Sequence, residues 1–338
     1  MLEVVLICVL LVVGLVLIIK GGDYFVDGAS WLAEVSGIPK VIVGATIVSV
    51  ATTLPEIVVS LITVKSSPDA AIGNAVGSVV FNTGIIMAIA LIAQPFIIKR
   101  KDYAFKGILL SLVMATFTVI SFISISGQKV SANTSGVFGY LGAGLLLAGF
   151  VVFIVENVIS AKKSVNNEDE QTAVKPLATK KSVTINLLKL ILGAAAIGGG
   201  AILLKDNAVA IARIMGVSDA LIGVTILAIG TSLPELVTMI IAVKKGEASL
   251  SIGNIIGANT IDLALIMPLS AFIVGGAGLP VSSIHLFLTL PTTLAIILIG
   301  IVPTLIFKKF SRWQGFLMAG IYFAYFAFNI VNTFYVML

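Results

Sequence analysis

The sequence predicts an all-α polytopic membrane protein with ten transmembrane helices in two inverted five-helix repeats. Of its 338 residues, 59% are apolar and only 11% are charged, a composition typical of membrane proteins and not of soluble domains. Its apolar segments are long enough to cross a hydrocarbon core of about 30 Å. Two polar motifs also occur once in each half of the chain, which indicates a duplicated unit with one site built from both halves.

The first repeat is predicted to span residues 1–160. Its first helix covers residues 2–19, with a polar extension to about Gly37. Because this segment has neither a basic start nor a small-residue cleavage site, we expect a retained helix and not a signal peptide. The remaining helices of this repeat are predicted at residues 40–64, 71–92, 104–125 and 136–159.

A charged linker, residues 161–183, separates this repeat from the second one, residues 184–338. The acidic run in the linker lacks the alternating spacing and the glycine of an EF-hand calcium loop, so we expect a solvated charge run. The helices of the second repeat are predicted at residues 184–204, with an extension toward Ile214, and at residues 219–243, 249–274, 284–307 and 314–337.

The basic residues predict the orientation. One set of loops contains only Lys65, Lys129, Lys205 and Arg213, and the other 17 of the 21 Lys and Arg residues lie on the opposite side. The positive-inside rule makes the richer side, including the linker, cytoplasmic. Both termini then face outward from an inner or plasma membrane, and the basic net charge requires no nucleic-acid partner. The two motif helices are five spans apart, so the repeats have opposite orientations, as in many secondary transporters.

A motif of hydroxyls, proline and glutamate occurs in both repeats. The two copies read Thr52-Thr53-Leu54-Pro55-Glu56 and Thr231-Ser232-Leu233-Pro234-Glu235, preceded by Ser49 and Ala228 at matching positions. At helical spacing the hydroxyls share a face with the glutamate, and each proline deprives a backbone carbonyl of its helical donor. A proline alone is common in transmembrane helices, but a proline followed by glutamate in both repeats predicts a functional site.

A second motif follows each copy of the first. The two copies are Gly73-Asn74-Ala75-Val76-Gly77-Ser78 with Asn82, and Gly253-Asn254-Ile255-Ile256-Gly257-Ala258 with Asp262. The small residues predict close helix packing, whereas Ser78, Asn82 and Asp262 need buried polar partners. A bare carboxylate at mid-bilayer costs about 2.5–3.5 kcal/mol. No Lys or Arg is predicted at the depth of Glu56, Glu235 and Asp262, so protons or bound cations must compensate their charge.

The inventory of polar groups is all oxygen, apart from the amide nitrogen of Asn82, which suits hard cations. Ca²⁺ accepts about six to eight oxygens in flexible geometry, whereas Mg²⁺ retains its water. The single Cys8 and the single His285 exclude a thiolate cluster and a multi-histidine site. No nucleophile–base pair or cofactor motif is present, so the sequence predicts a transporter without a cofactor and not an enzyme.

These paired motifs resemble the alpha repeats of the cation/calcium antiporters, specifically the prokaryotic type of the sodium/calcium exchanger branch, over nearly the whole chain. The resemblance implies that the carboxylates of Glu56 and Glu235, with the carbonyls of Thr52 and Thr231, hold Ca²⁺. It also implies that Na⁺ uses the same carboxylates with oxygens of Ser49, Thr53, Ser78, Ala228, Thr231 and Ser232. It further implies that Asn82 and Asp262 complete the middle of the site.

The predicted function is therefore Ca²⁺/Na⁺ antiport by alternating access, with H⁺/Ca²⁺ antiport or a cation channel as alternatives. Gly77-Ser78 stands where the proton/calcium exchanger branch usually carries an acidic residue, which favours sodium. The sequence departs from the family pattern at Ala258, where a second hydroxyl is more usual. Three ionised carboxylates also exceed the charge of Ca²⁺, so we expect one proton on Asp262 in the calcium-bound state.

Overall fold

The computed structural model describes residues 2–93, 100–125, 135–166, 178–215 and 228–337. Its first half contains α1 (Leu2–Ser36), α2 (Lys40–Thr63), α3 (Pro68–Ala93), α4 (Arg100–Ile123) and α5 (Tyr140–Asn166). Its second half contains α6 (Lys180–Ile214), α7 (Leu233–Lys244), α8 (Ala248–Val274), α9 (His285–Phe307) and α10 (Arg312–Met337). Two short strands, β1 (Gly136–Phe138) and β2 (Leu279–Val281), pair antiparallel in the loops before α5 and α9.

The helices confirm the predicted polytopic membrane protein. Within the described ranges, nine helices are long and apolar enough to cross a membrane. The tenth predicted span, residues 219–243, lies partly outside the described residues, and its described part is a helical turn at Ala228–Gly230 followed by α7. The fifth helix begins at Tyr140 and not at residue 136, because Gly136–Phe138 pairs with β2.

The two ends of the predicted linker are helical. Helix α5 continues to Asn166 and α6 begins at Lys180, with the Thr179 hydroxyl accepting a hydrogen bond from the Ser182 amide as its N-cap. The intervening residues 167–177 lie outside the described part of the chain. The predicted linker thus overlaps α5 at residues 161–166 and α6 at residues 180–183.

Helices α3 and α8, which carry the second motif, are the most buried spans of the described chain. In their most apolar windows 78% and 83% of the residues are buried, against 22% in α1, α6 and α10. The outer helices expose large apolar side chains such as Leu6, Leu192 and Phe316. Lipid tails are as apolar as leucine, so this exposure carries no penalty in a bilayer. The polar motifs therefore lie at the centre of the molecule.

Helices α1 and α6 pack closely through glycines. A Cβ atom on Gly14 would lie 2.9 Å from the Gly200 carbonyl oxygen, and one on Gly193 would lie 2.8 Å from the Gly21 carbonyl oxygen. Small residues let transmembrane backbones approach each other in this way. The α1–α6 pair lies beside α2 and α7, where Phe25 and other apolar side chains form a separate small core.

Helices α3 and α8 contain π-helical segments at matching positions, which the sequence did not predict. The segment in α3 is Asn82–Met87 and the one in α8 is Asp262–Ile266. A third segment, Gly44–Val48, precedes the hydroxyl motif in α2. π-Helical turns within α-helices often occur at functional sites. Here each central segment begins at the polar residue of the second motif.

Candidate cation-binding site

Three buried carboxylic acids from both halves of the chain form the centre of the candidate site. Glu56 in α2 and Glu235 in α7 are each 1% exposed, and Asp262 in α8 is fully buried. Both oxygens of Glu56, both oxygens of Asp262 and Oε2 of Glu235 have no hydrogen-bond partner among the described residues. Buried polar atoms are nearly always satisfied, so this concentration of free acceptor oxygens indicates a site suited to cations.

Hydroxyl groups cross between the two repeats to reach these acids. The Thr53 hydroxyl of the first repeat donates to Oε1 of Glu235 at 3.5 Å. At the matching position of the second repeat, the Ser232 hydroxyl lies beside the Glu56 carboxylate, although neither Glu56 oxygen completes a hydrogen bond with a described residue. Ser232 donates instead to the Ser78 hydroxyl at 2.9 Å. Each glutamate is thus approached by a hydroxyl of the opposite repeat.

The missing hydroxyl at Ala258 has a local consequence. Ala258 occupies the position in α8 that Ser78 occupies in α3, so Thr53 has no equivalent of the Ser232–Ser78 hydrogen bond. The fully buried Ser49 hydroxyl lies on this side of the site, because a Cβ on Gly257 would be 2.5 Å from its oxygen. Ser49 itself donates to the Thr46 carbonyl at 3.1 Å.

Two asparagines, for which the motif spacing predicted no role, brace the site symmetrically. The Thr52 hydroxyl donates to Oδ1 of Asn254 at 3.2 Å, and the Thr231 hydroxyl donates to Oδ1 of Asn74 at 3.2 Å. The Asn74 amide nitrogen also donates to the Ser60 hydroxyl, and the Asn254 amide nitrogen donates to the Thr238 hydroxyl. These pairs tie each Gly-Asn motif to the hydroxyl motif of the opposite repeat. The repeated Gly-Asn dipeptide was the signal that could have revealed them.

Asn82 and Asp262, the matched residues of α3 and α8, have different surroundings. The Asn82 amide nitrogen donates to Oδ1 of Asn259 at 3.2 Å, and Asn259 donates in turn to the Thr83 hydroxyl at 2.8 Å. Oδ1 of Asn82, like both oxygens of Asp262, has no described partner. The Asn259 side chain is therefore engaged in bracing Asn82, while acceptor oxygens of Asn82 and Asp262 stay free.

The backbone at the two prolines differs between the repeats. Helix α2 continues through Pro55, so the loss of one helical hydrogen-bond donor does not end the helix there. In the second repeat the helical turn Ala228–Gly230 ends, Thr231 and Ser232 form a turn, and α7 starts with Pro234 in its first turn. Ala228, whose predicted contribution to the site is its backbone carbonyl, begins this short helical turn.

The three acids do not form a closed carboxylate cage. Within the described ranges, no group of three or more His, Cys, Asp or Glu side chains is arranged to hold one metal ion. A cation bound by Glu56 and Glu235 would therefore also use neutral oxygens of the neighbouring hydroxyls and carbonyls. Such mixed sets of oxygen ligands are usual for Ca²⁺.

On one face of the site, α2 and α8 pack backbone against backbone. A Cβ on Gly44 would overlap the Leu250 carbonyl oxygen, and a Cβ on Gly253 would overlap the Val41 carbonyl oxygen. The expected close packing by small residues is thus confirmed for this helix pair. No space is left between α2 and α8 for an ion to pass.

Ion pairs surround the same end of α2 and α8. Lys40 Nζ lies 2.6 Å from Glu247 Oε1 and 2.9 Å from Glu34 Oε1, and Lys245 Nζ lies 2.7 Å from Asp27 Oδ1. Exposed ion pairs are individually weak. Together these pairs connect α1, the start of α2 and the loop between α7 and α8 on the closed face.

On the opposite face, two cavities reach the motif of the second repeat. Cavity A, about 440 Å³, is lined by Asn74, Gly77, Thr231 and Lys205 among others. Cavity B, about 600 Å³, extends along α6 and also includes Thr231 and Lys205. A Cβ on Gly77 would meet no atom within 4 Å, although its repeat mate Gly257 is tightly packed. The molecule is therefore closed beside α8 and open beside α3.

Lys205 was expected in a loop, but it lies within α6. Its stem covers Gly230, because a Cβ at Gly230 would lie 2.7 Å from the Lys205 Cγ atom. Arg213, also expected in a loop, lies in the last turn of the same helix. Helix α6 ends at Ile214, so the extension of this helix beyond its apolar run, which the sequence predicted, is confirmed. A lysine thus adjoins the hydroxyl motif of the second repeat at Gly230.

The whole chain is similar to known exchangers. A family model described as sodium/calcium exchanger protein matches residues 6–158 and 185–331. The chain belongs to this family. The uncharacterized membrane protein MJ0091 of Methanocaldococcus jannaschii is 31% identical over 316 residues, which cover 91% of this chain and 93% of MJ0091. The sodium/calcium exchanger MaX1 of Methanosarcina acetivorans is 28% identical, and that match covers 97% of this chain and 98% of MaX1.

Solved structures of an exchanger share the fold. The sodium-calcium exchanger NCX_Mj soaked with 10 mM Na⁺ and zero Ca²⁺ matches with a TM-score of 0.78 and 26% identity, covering 96% of this chain and 99% of that one. The same exchanger soaked with Na⁺ and Sr²⁺ matches with a TM-score of 0.77. These matches confirm the resemblance that the motifs indicated and the predicted fold class.

The structure brings the predicted site residues of the two repeats together. Thr53 reaches Glu235, Ser232 reaches Ser78, and Thr52 and Thr231 bond to asparagines of the opposite repeat. Asn82 and Asp262 open the central π segments. The assignment of individual residues to Ca²⁺ or Na⁺ stays a prediction.

Proposed function

We propose that the protein exchanges Ca²⁺ for Na⁺ across the membrane by alternating access at this site. The observation that carries the proposal is the group of buried carboxylate oxygens without described partners, contributed by both repeats and approached by hydroxyls of the opposite repeat. Anionic oxygens deep in a membrane protein require a compensating cation. The proposal involves no catalytic residue and no cofactor, because the two ions are the transported substrates.

The ligands are assigned by class of ion. Ca²⁺ is held by the carboxylates of Glu56 and Glu235 with the carbonyls of Thr52 and Thr231. Na⁺ ions use the same carboxylates, so the two substrates compete and are transported in turn. The oxygens added for Na⁺ belong to Ser49, Thr53, Ser78, Ala228, Thr231 and Ser232. Asn82 and Asp262 complete the middle of the site, with a proton on Asp262 when Ca²⁺ is bound.

The two faces of the site support alternating access. At the closed α2–α8 contact, the glycines of α8 are tightly packed against α2. The matching glycines of α3, which border the open cavities, have free space where a Cβ would lie. In a duplicated transporter, exchange of these two arrangements between the repeats would open the site to the other side of the membrane. A channel would instead need both faces open at once.

The proposed orientation follows from the basic residues. The segment between α5 and α6 and the ion pairs of the closed face lie on the cytoplasmic side, both termini lie outside, and cavities A and B open outward. The two repeats are residues 1–160 and 184–338. The gap between the two segments that match the family model, residues 159–184, supports this division.

The orientation predicts which engineered cysteines react in intact cells. In a Cys8→Ser background, Ala178→Cys should resist a membrane-impermeant thiol reagent and react only after the cells are permeabilised. Ser66→Cys, in the loop between α2 and α3, is the matched control and should react without permeabilisation, since both positions are exposed. The reverse pattern would invert the proposed orientation.

Ion flux into proteoliposomes tests the proposed exchange. Vesicles loaded with Na⁺ and diluted into Na⁺-free buffer should accumulate ⁴⁵Ca²⁺, and vesicles without a Na⁺ gradient should not. Uptake driven by a pH gradient alone would establish H⁺/Ca²⁺ antiport instead. Calcium flux that does not saturate and needs no counter-ion would establish a channel.

A further inference from the structure

Lys205 places a positive charge beside the proposed ion pathway. Its side chain is 22% exposed, and its stem runs over Gly230, where a Cβ would lie 2.7 Å from Lys205 Cγ and 3.3 Å from Cδ. Gly230 immediately precedes Thr231, a proposed ligand. The lysine is thus held against the hydroxyl motif by packing of its aliphatic stem.

Lys205 lines both open cavities, and so does Thr231. The Thr231 hydroxyl donates a hydrogen bond to Asn74 at 3.2 Å. Both cavities therefore extend to one of the threonine–asparagine pairs that brace the site. Among the described residues that line them, Lys205 is the one with a permanent charge, and His285 is the other titratable group besides the tyrosines. Lys205 is thus the permanent positive charge that borders both cavities.

The lysine charge is only partly compensated. Its Nζ lies 3.3 Å from Oδ1 of Asp206, whose side chain is 61% exposed. An exposed ion pair of adjacent residues is weak and screened by salt. The two residues therefore act as a net-neutral pair at long range. Lys205 lines both cavities and Asp206 lines neither, so the positive member of the pair is the one that borders the cavities.

We propose that Lys205 is a specificity-determining residue that disfavours divalent cations at the open face, a role that rests on the proposed exchange function. Coulomb energy is proportional to the charge of the approaching ion. If the lysine weakens Na⁺ binding by a given factor, it weakens Ca²⁺ binding by the square of that factor. The charge would thereby promote release of Ca²⁺ at this face and its replacement by Na⁺.

The test compares ion affinities of the purified full-length protein with and without the charge. Lys205→Met keeps the length of the side chain and removes the ammonium group. We expect it to tighten Na⁺ binding about threefold and Ca²⁺ binding about tenfold at low ionic strength, measured by titration calorimetry and by half-saturation of exchange. Raising the ionic strength with an inert organic salt should reduce the difference between variant and wild type.

Three variants separate charge from packing. Lys205→Arg keeps the charge and should behave as wild type. Lys189→Met changes a lysine near the other end of α6, which lies 3.7 Å from Asp27, and should alter neither affinity. Asp206→Asn removes the compensating carboxylate and should weaken binding of both ions, with the larger effect on Ca²⁺.

Equal changes for the two ions in Lys205→Met, no change, or a Lys205→Arg variant that resembles Lys205→Met would overturn the proposal. Wild-type exchange is measured in the same preparation. If the wild type binds both ions but does not exchange them, the proposed function is wrong and the affinity ratio still decides the role of Lys205. If it binds neither ion, both proposals are wrong.

Discussion

Glu56→Gln and Glu235→Gln should each lower Na⁺-driven Ca²⁺ uptake by at least about 100-fold, which corresponds to about 2.7 kcal/mol. Glutamine keeps the size of the side chain, removes one negative charge and replaces one ligand oxygen by an amide NH₂ group, which cannot bind a cation. Both glutamates are 1% exposed, so solvent cannot replace the lost charge. In a poorly solvated site, removing one of two coordinating charges weakens cation binding more than it would in water.

The fold should survive both substitutions. The Glu56 carboxylate makes no hydrogen bond to a described residue, and Glu235 accepts one long bond from Thr53 at 3.5 Å. Size-exclusion profiles and melting temperatures should therefore stay close to wild type, while ⁴⁵Ca²⁺ uptake into Na⁺-loaded proteoliposomes is lost. Near-normal uptake by either folded variant would show that the site is not shared by the two repeats.

Asp262→Asn is the matched control, since Asp262 is equally buried and its repeat mate is already the amide Asn82. With Glu56 and Glu235 ionised, an ionised Asp262 leaves one negative charge more than Ca²⁺ neutralises. Asparagine imitates the protonated acid that we expect in the calcium-bound state. This variant should transport far more Ca²⁺ than either glutamate variant and depend less on pH. A variant as inactive as Glu56→Gln would make the Asp262 carboxylate an obligatory ligand.

Much of the site could be predicted because duplication marks it in the sequence. A proline-glutamate pair in an apolar helix is conspicuous, and its recurrence at Glu56 and Glu235 fixes which polar residues belong together. Inversion of the repeats then requires the two copies to meet near the centre of the membrane. The spans were equally predictable, because length and hydropathy are physical requirements of a bilayer.

Contacts between the repeats could not be predicted, because an amide or hydroxyl in a helix can bond within its own helix or to another one. Asn74 and Asn254 reach the opposite repeat, and only the packing of α3 and α8 decides this. The π-helical segments that begin at Asn82 and Asp262 do not alter the spacing of apolar residues in the sequence, so this spacing could not predict them. Lys205 was assigned to a loop, although it falls within the extension of α6 toward Ile214 that the sequence predicted and the structure confirms.

Substitution of two matched glycines should move the protein in opposite directions between its two states. Gly253 packs against the Val41 carbonyl oxygen so closely that a Cβ would overlap it, whereas for its repeat mate Gly73 the nearest atom to a Cβ is His285 Cε1 at 3.8 Å. Gly253→Ala therefore strains the state described here, in which the α2–α8 face is closed. Gly73→Ala fits this state and should strain the alternative one, in which α3 takes the packed role.

Labelling of a cavity residue reports the shift. Val59 is half-buried and lines both cavities A and B, so Val59→Cys in a Cys8→Ser background should react with a water-soluble thiol reagent when the cavities are open. Overpacking of a tight contact typically costs about 1–3 kcal/mol, which changes a two-state ratio by about 5-fold to 150-fold. Gly253→Ala should lower the labelling rate by about that factor, and Gly73→Ala should maintain or raise it.

Both variants should slow exchange, since transport requires each state in turn. What distinguishes them is the state in which they accumulate, and a general loss of stability cannot produce opposite labelling changes from the same substitution type. If Gly73→Ala lowers labelling as much as Gly253→Ala does, the two glycines do not exchange roles. The packed and open faces would then be fixed features of the fold, and alternating access would have to use other helices.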